Sequence, residues 1–225
     1  MNPLARLKRS VSERGLAGTL LHAPRAALRP VALRVRTRRS AAQAPHLVAS
    51  ASAALLHLGS GPERIPGWIN VDLYFPAELC LDLTRPLPLP TGSVDAIYSQ
   101  HFLEHIPRDA GARLIAECAR VLKPGGWLRI STPDLERHVE LYRAGRLDAA
   151  AVNDIMRAHD HLFIYDYATL AGLFAETGLA DVQRAEPQES RCEHLRGLDS
   201  RTAGEGEGTD LIVEGKMGQT PFSDV

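Results

Sequence analysis

Two short apolar runs constrain this chain most. Leu55-Leu56-His57-Leu58 stops at Gly59-Ser60-Gly61-Pro62, and Trp68-Ile69-Asn70-Val71 stops at Asp72. A parallel nucleotide-binding sheet presents its strand ends to a ligand in this way, the first through a Gly-x-Gly turn and the second through a carboxylate. Gly59 and Gly61 carry no Cβ, so the backbone can turn sharply and a ligand can lie against it. Asp72 offers acceptors for both hydroxyls of a ribose. Two buried strands joined by a Gly/Pro turn with no ligand is the alternative on these residues alone.

The residues after Gly61 narrow the choice of ligand. A dinucleotide fold places a third Gly and a full helix between the two strands, because the helix N-terminus neutralises a pyrophosphate. Here Pro62 and Arg64 come next, and Pro66-Gly67 breaks the chain before more than a turn of helix can form. The crossover is shorter than the roughly 10–12 residues such a connection needs. A nucleoside without phosphates therefore fits better, and S-adenosylmethionine, with a methionine tail in place of phosphates, is one. The same gap weakens a nicotinamide oxidoreductase reading.

Downstream, strands and helices alternate. Leu79 to Leu81, Val94 to Tyr98 and Trp127 to Ile130 read as further strands, and Ala180 to Ala185 and Asp210 to Lys216 as the last two. Between them, Leu114, Cys118 and Val121 recur at helical spacing after Pro107, and Lys123-Pro124-Gly125-Gly126 must end that helix. Leu135 to Ala144, about Asp148 to Ala158, and Tyr167 to Thr177 behind an Asp166 cap read as three more helices. The alternation predicts an α/β fold, a Rossmann-like, seven-stranded, mostly parallel sheet with helices on both faces and an antiparallel last strand.

Charge divides the chain in two. Residues 1–45 hold ten Lys and Arg against Glu13 alone, a charge of +9, which leaves -10 on residues 46–225 because the whole carries -1. The expected organisation is a basic N-terminal arm over 1–45, partly helical or disordered, with Ala41 to Ser52 as a linker of small residues, and one domain over 46–225. The arm's expected partner is an anionic acceptor or an anionic membrane surface touched through residues 1–40, and a solvated tail or a cleaved targeting peptide is the alternative. Nucleic acid is disfavoured, since the arm has no aromatic residue for stacking and an acidic domain behind it repels phosphates. Cys80, Cys118 and Cys192 are odd in number and widely spaced, which argues against disulfides and a zinc site and for a reducing, cytoplasmic setting. No apolar run approaches the roughly 18 residues of a membrane span.

Several separated features, taken in order, resemble a class I S-adenosylmethionine-dependent methyltransferase of the small methyltransferase type 11 kind. They are Leu56-His57-Leu58-Gly59-Ser60-Gly61-Pro62, Val71-Asp72, Asp82 before Leu87-Pro88-Leu89-Pro90, Ser93-Val94-Asp95, Leu103-Glu104-His105 and Leu122-Lys123-Pro124-Gly125-Gly126. The resemblance spans Leu55 to Lys216, about three-quarters of the chain. It implies S-adenosylmethionine as cofactor. Gly59, Ser60 and Gly61 would line its methionine and ribose, Asp72 would bind the ribose, Leu73 would pack on adenine, Asp82 with Leu83 would receive the adenine amino group, and Ser99 and Gln100 would sit near the methionine tail. Asp95 would be structural. The chain departs from the pattern where Gly-x-Gly-x-Gly is cut short at Pro62.

Methyl transfer from a sulfonium needs alignment above all, and a base only for a hydroxyl or a protonated amine. His101 and His105, on the tip after the fourth strand, are the candidates for that base; a packed helix start is the alternative. His101, Glu104 and His105 also share one helical face at i, i+3, i+4, and His159-Asp160-His161 can add a ligand, so a divalent metal site is the rival arrangement. Asp134, Tyr165 and Tyr167 are further polar groups for the acceptor side. The expected enzyme methylates an oxygen or nitrogen of a small-molecule or glycan acceptor, a lipid-linked saccharide included. The competing reading is a non-catalytic cofactor-binding or scaffold module.

Overall fold

The computed structural model describes residues 31–157, 160–199 and 208–219. The chain divides into residues Met1–Arg39 and a larger compact unit, Ser40–Val225. The larger unit holds a six-stranded sheet of order β2-β1-β3-β4-β6-β5. Its strands are β1 (Leu55–Leu58), β2 (Ile69–Val71), β3 (Val94–Gln100), β4 (Leu122–Pro133), β5 (Leu179–Arg184) and β6 (Asp210–Met217). β1 to β4 run parallel, and β6 lies antiparallel between β4 and β5. The antiparallel last strand is as the sequence predicts.

The expected strand at Leu79 to Leu81 is reduced to a single parallel bridge, Val71 to Leu79, at the outer edge of β2. The chain leaves the ladder at once because the next amide, of Cys80, donates to Ser40 Oγ at 2.8 Å instead. Among the described residues six strands replace the seven expected.

The crossover from β1 to β2 is as short as Pro62 and Pro66 require, and one side chain organises it. Asn70 donates through Nδ2 to the carbonyls of Ile65 (3.2 Å) and Trp68 (3.1 Å), while its Oδ1 accepts from Ile65 N at 2.9 Å and lies 3.0 Å from His57 Nδ1. A buried amide so placed does for this turn what a helix's own hydrogen bonds do for a full crossover.

Residues 31–50 are helical (α1), which corrects the linker expected over Ala41 to Ser52. Ser40, Ala44 and Val48 recur every fourth residue and are buried, so small residues here serve close packing. α2 (Arg108–Val121) starts after Pro107, which is its N-cap, and α5 (Tyr167–Glu176) starts after Asp166, whose side chain accepts from Thr169 N. Ala44 and Val48, Leu114, Ile115 and Cys118 of α2, and Leu170 and Phe174 of α5 join Leu56, Leu58, Ile97, Leu128 and Val213 of the strands in the main core.

The opposite face departs from the layered expectation. Its apolar cluster, Trp68, Ala96, Tyr98, Cys192 and Leu195, is covered by the segment after β5, with its short turn Glu193–Leu195, rather than by a helix. That segment is fastened by Arg129 of β4, which is fully buried. Arg129 donates to Asp199 (2.6 Å), to Glu214 (2.7 Å) and to the carbonyls of Glu189 and Glu186, and Tyr98 OH donates to Asp199 at 2.8 Å. α3 (Leu135–Arg143) and α4 (Ala149–Arg157) bury only Leu141 between them.

Candidate functional site

The strand ends converge as the sequence predicts. Leu58 at the end of β1 pairs with Val71 of β2 and Ser99 of β3, and Gln100 pairs with Ser131 of β4. The segments leaving Leu58, Val71, Gln100 and Pro133 therefore emerge on one carboxyl edge, where open α/β sheets hold ligands.

On that edge Gly59 and Gly61 have φ of 65° and 57°, and the amides of Gly59 and Ser60 both donate to Val71 O. Asp72 is buried and fastens this turn to the next: one carboxylate oxygen accepts from Gly61 N (3.0 Å), the other from Tyr74 N (2.7 Å) and Phe75 N (2.8 Å). Ser99 donates to Leu58 O at 3.1 Å. Ser60 Oγ and Gln100 Nε2 are buried without a hydrogen-bond partner among the described residues. Orphaned polar atoms on a ligand-bearing edge fit a polar ligand better than a dry turn. Gly59 itself faces the ring of Phe102, so closely that a Cβ on Gly59 would lie 2.3 Å from Phe102 Cγ.

Leu73 is half-buried and Leu83 lies in the core. Asp82 stands apart, its carboxylate accepting from Thr84 N, Thr84 Oγ1 and Arg85 Nε. Partial burial opposes its ionisation, but the Thr84 and Arg85 hydrogen bonds prevail and lower its pKa. Asp95 is structural as expected, accepting from Ala54 N and from Lys123 Nζ.

His101, at φ 49°, is held between two carboxylates. Its Nδ1 lies 3.1 Å from Glu104 Oε1 and its Nε2 3.3 Å from Asp210 Oδ2, and Glu104, fully buried, also accepts from Thr132 Oγ1 at 3.1 Å. Burial opposes its charge, yet the hydrogen bonds and negative charges of Asp210 and Glu104 prevail and push its pKa up to about 10. So held, His101 favours the charged ring over the neutral one that a general base requires. The sequence does not reveal Asp210 and Thr132 as members of this cluster, because nothing in it links His101 to a partner 109 positions away.

His105 parts from His101. It is exposed, and its ring meets His161 edge-on at 4.8 Å. Glu104, His105 and His161 bring three ligand atoms within 4.8 Å of one another, so the metal arrangement draws in His161 rather than His101; His159 lies outside the described residues. The carboxylate of this trio is also engaged by His101 and Thr132, and His161 Nδ1 by Ile155 O, contacts of the kind that orient ligand side chains.

Beside Asp210 opens a cavity of about 290 Å³ whose wall includes Asp134, Arg137, Arg184, Glu186 and Ile212. Asp134 caps α3 and pairs with Arg184 at 2.7 Å, and that guanidinium lies over the Tyr167 ring, 5.1 Å from its centroid. Tyr165 is instead fully buried, and burial raises its pKa to about 12.

Residues 63–130 match the family model described as a methyltransferase domain. The chain is 32% identical over 94 residues to a ubiquinone biosynthesis O-methyltransferase of Burkholderia vietnamiensis, covering 41% of this chain and 39% of that protein. It is 32% identical over 115 residues to a probable S-adenosylmethionine-dependent methyltransferase of Mycolicibacterium smegmatis, covering 44% of each. The matches thus span about two-fifths of these curated relatives. The fold is similar to a crystal structure of an S-adenosylmethionine-dependent methyltransferase from Archaeoglobus fulgidus, with TM-score 0.51, 15% identity, and coverage of 80% of this chain and 94% of that one. The ordered strand ends, the short Gly turn and these likenesses agree: residues 63–130 resemble a methyltransferase domain, on a fold similar to that of an S-adenosylmethionine-dependent methyltransferase.

Proposed function

We propose that this protein transfers the methyl group of S-adenosylmethionine to an oxygen or nitrogen of a small, polar, hydroxyl-bearing acceptor, a glycan or lipid-linked saccharide included. The observation that carries it is the adjacency, on one sheet edge, of a turn with orphaned polar atoms and a cavity walled by carboxylates and guanidiniums. Asp72 receives the ribose hydroxyls, Gly59, Ser60 and Gly61 line ribose and methionine, Ser99 and Gln100 bound the tail, and Leu73, Asp82 and Leu83 surround adenine. Bound there, the cofactor supplies an electrophilic methyl on a positively charged sulfur. Asp134, Glu186 and Asp210 accept hydrogen bonds from acceptor hydroxyls while Arg137 donates, a mixture suited to adjacent hydroxyls. Asp210 orients the nucleophile, and His101 holds Asp210 in place. The O-methyltransferase name of the Burkholderia relative supports oxygen as the accepting atom.

Labelled S-adenosylmethionine and fractionated extract test the reading. Label is expected in a polar, hydroxylated fraction; label confined to protein or nucleic acid would overturn the acceptor class. Binding without turnover on any fraction would support the rival, a cofactor-binding scaffold. The basic arm, +9 over residues 1–45, is proposed to meet an anionic membrane surface through residues 1–40, of which 1–30 lie outside the described residues.

A further inference from the structure

The side of Gly59 that a Cβ would occupy is taken by the chain itself. Three atoms of Phe102 stand 2.3–2.6 Å from where a Gly59 Cβ would be, so the ring lies directly on the first glycine of the turn. The two orphaned polar atoms flank this contact in sequence: Ser60 comes directly after Gly59, and Gln100 precedes His101 and Phe102. A buried polar atom without a partner loses its hydrogen bonds to water and gains none, at a cost of about 1–3 kcal/mol each. A buried polar group left unpaired in a native structure points to strain or to a role at a site.

Phe102 is only half-buried and packs at the margin of the core, whereas its neighbour Leu103 is wholly inside. His101, immediately before it, adopts a left-handed backbone and is held by Glu104 and Asp210. Phe102 thus stands at the margin of the core, next to a residue held through both ring nitrogens.

We infer that Phe102 is a displaceable plug of the cofactor site, which must leave Gly59 before the methionine portion of the cofactor can reach Ser60 and Gln100. This rests on the cofactor assignment above and adds to it a two-state tip whose open form is the binding-competent one. A protein that binds only in its open form has an apparent affinity reduced by the fraction open. If the closed form prevails about tenfold, removing the ring tightens binding about tenfold.

The test measures S-adenosylhomocysteine affinity by calorimetry, and binding rate by stopped flow with a fluorescent S-adenosylhomocysteine conjugate, in wild type, F102A and F102L. The expected results are a wild-type rate that reaches a plateau as ligand concentration rises, a rate linear in concentration for F102A, and a dissociation constant about tenfold lower for F102A. A linear wild-type rate, or F102A binding equally or more weakly, would overturn the plug and make Phe102 a fixed wall. Should F102A fail to melt cooperatively, F102L decides: a higher plateau rate supports the plug, and an unchanged one overturns it. If all three folded proteins ignore the ligand, the cofactor assignment fails rather than the plug alone.

Discussion

Asp72 shows how one carboxylate serves both fold and site. It holds three backbone amides from two turns, so Asp72→Ala is expected to abolish measurable S-adenosylhomocysteine binding and to lower stability by about 1–3 kcal/mol. Calorimetry with a parallel urea melt separates the two losses; unchanged affinity would refute the ribose contact. His101 carries a pH signature. Its pKa rises from the ordinary 6.5 to about 10 on folding, so its contribution is complete below about pH 6.5 and declines as pH rises through about 10. Stability should fall across that window in wild type and less so in His101→Gln, as followed by denaturant midpoints at successive pH values. Asp72 is legible in the sequence because an acid closing an apolar run is a local pattern. The state of His101 is not, because it depends on Asp210 and Thr132, which only the sheet's register brings near.

At the scale of elements, the sequence marks a helix by its cap: Asp166 stands where α5 begins. It misplaces α1 because small residues read as a linker until a core is present to receive them. It also hides the covering of the second face, since a loop carries no periodicity, and Arg129 between Leu128 and Ile130 looks like an ordinary solvent-facing residue of an alternating strand. Inside the protein that arginine meets two carboxylates and two carbonyls. Arg129→Met is therefore expected to cost about 3–5 kcal/mol, because Asp199 and Glu214 are left buried without their cation. A double variant, Arg129→Met with Glu214→Gln, should recover part of that loss in the same denaturant titration. No recovery would mean that charge is not what the arginine supplies.

For the whole molecule, a chain lacking residues 1–30 is expected to melt within a few degrees of the full chain, while one lacking 1–50 melts lower for want of Ala44, Val48 and the Ser40 to Cys80 bond. Sedimentation with anionic vesicles at low and high salt tests the arm; retention of the truncated chain at low salt would remove its membrane role. The sheet's strand order bears on how the protein comes into being. β6 is the last described strand in the chain, yet it sits inside the sheet, between β4 and β5. A ribosome that has delivered β1 to β5 has made a parallel half with a bare edge at β4 and a strand with no partner to lie against. It has also made His101 without Asp210. Vectorial synthesis thus withholds both the closing strand and the completed tip until residues 210–217 clear the exit tunnel, so nascent chains stalled before them should be open to protease along β4, and chains stalled well after them resistant.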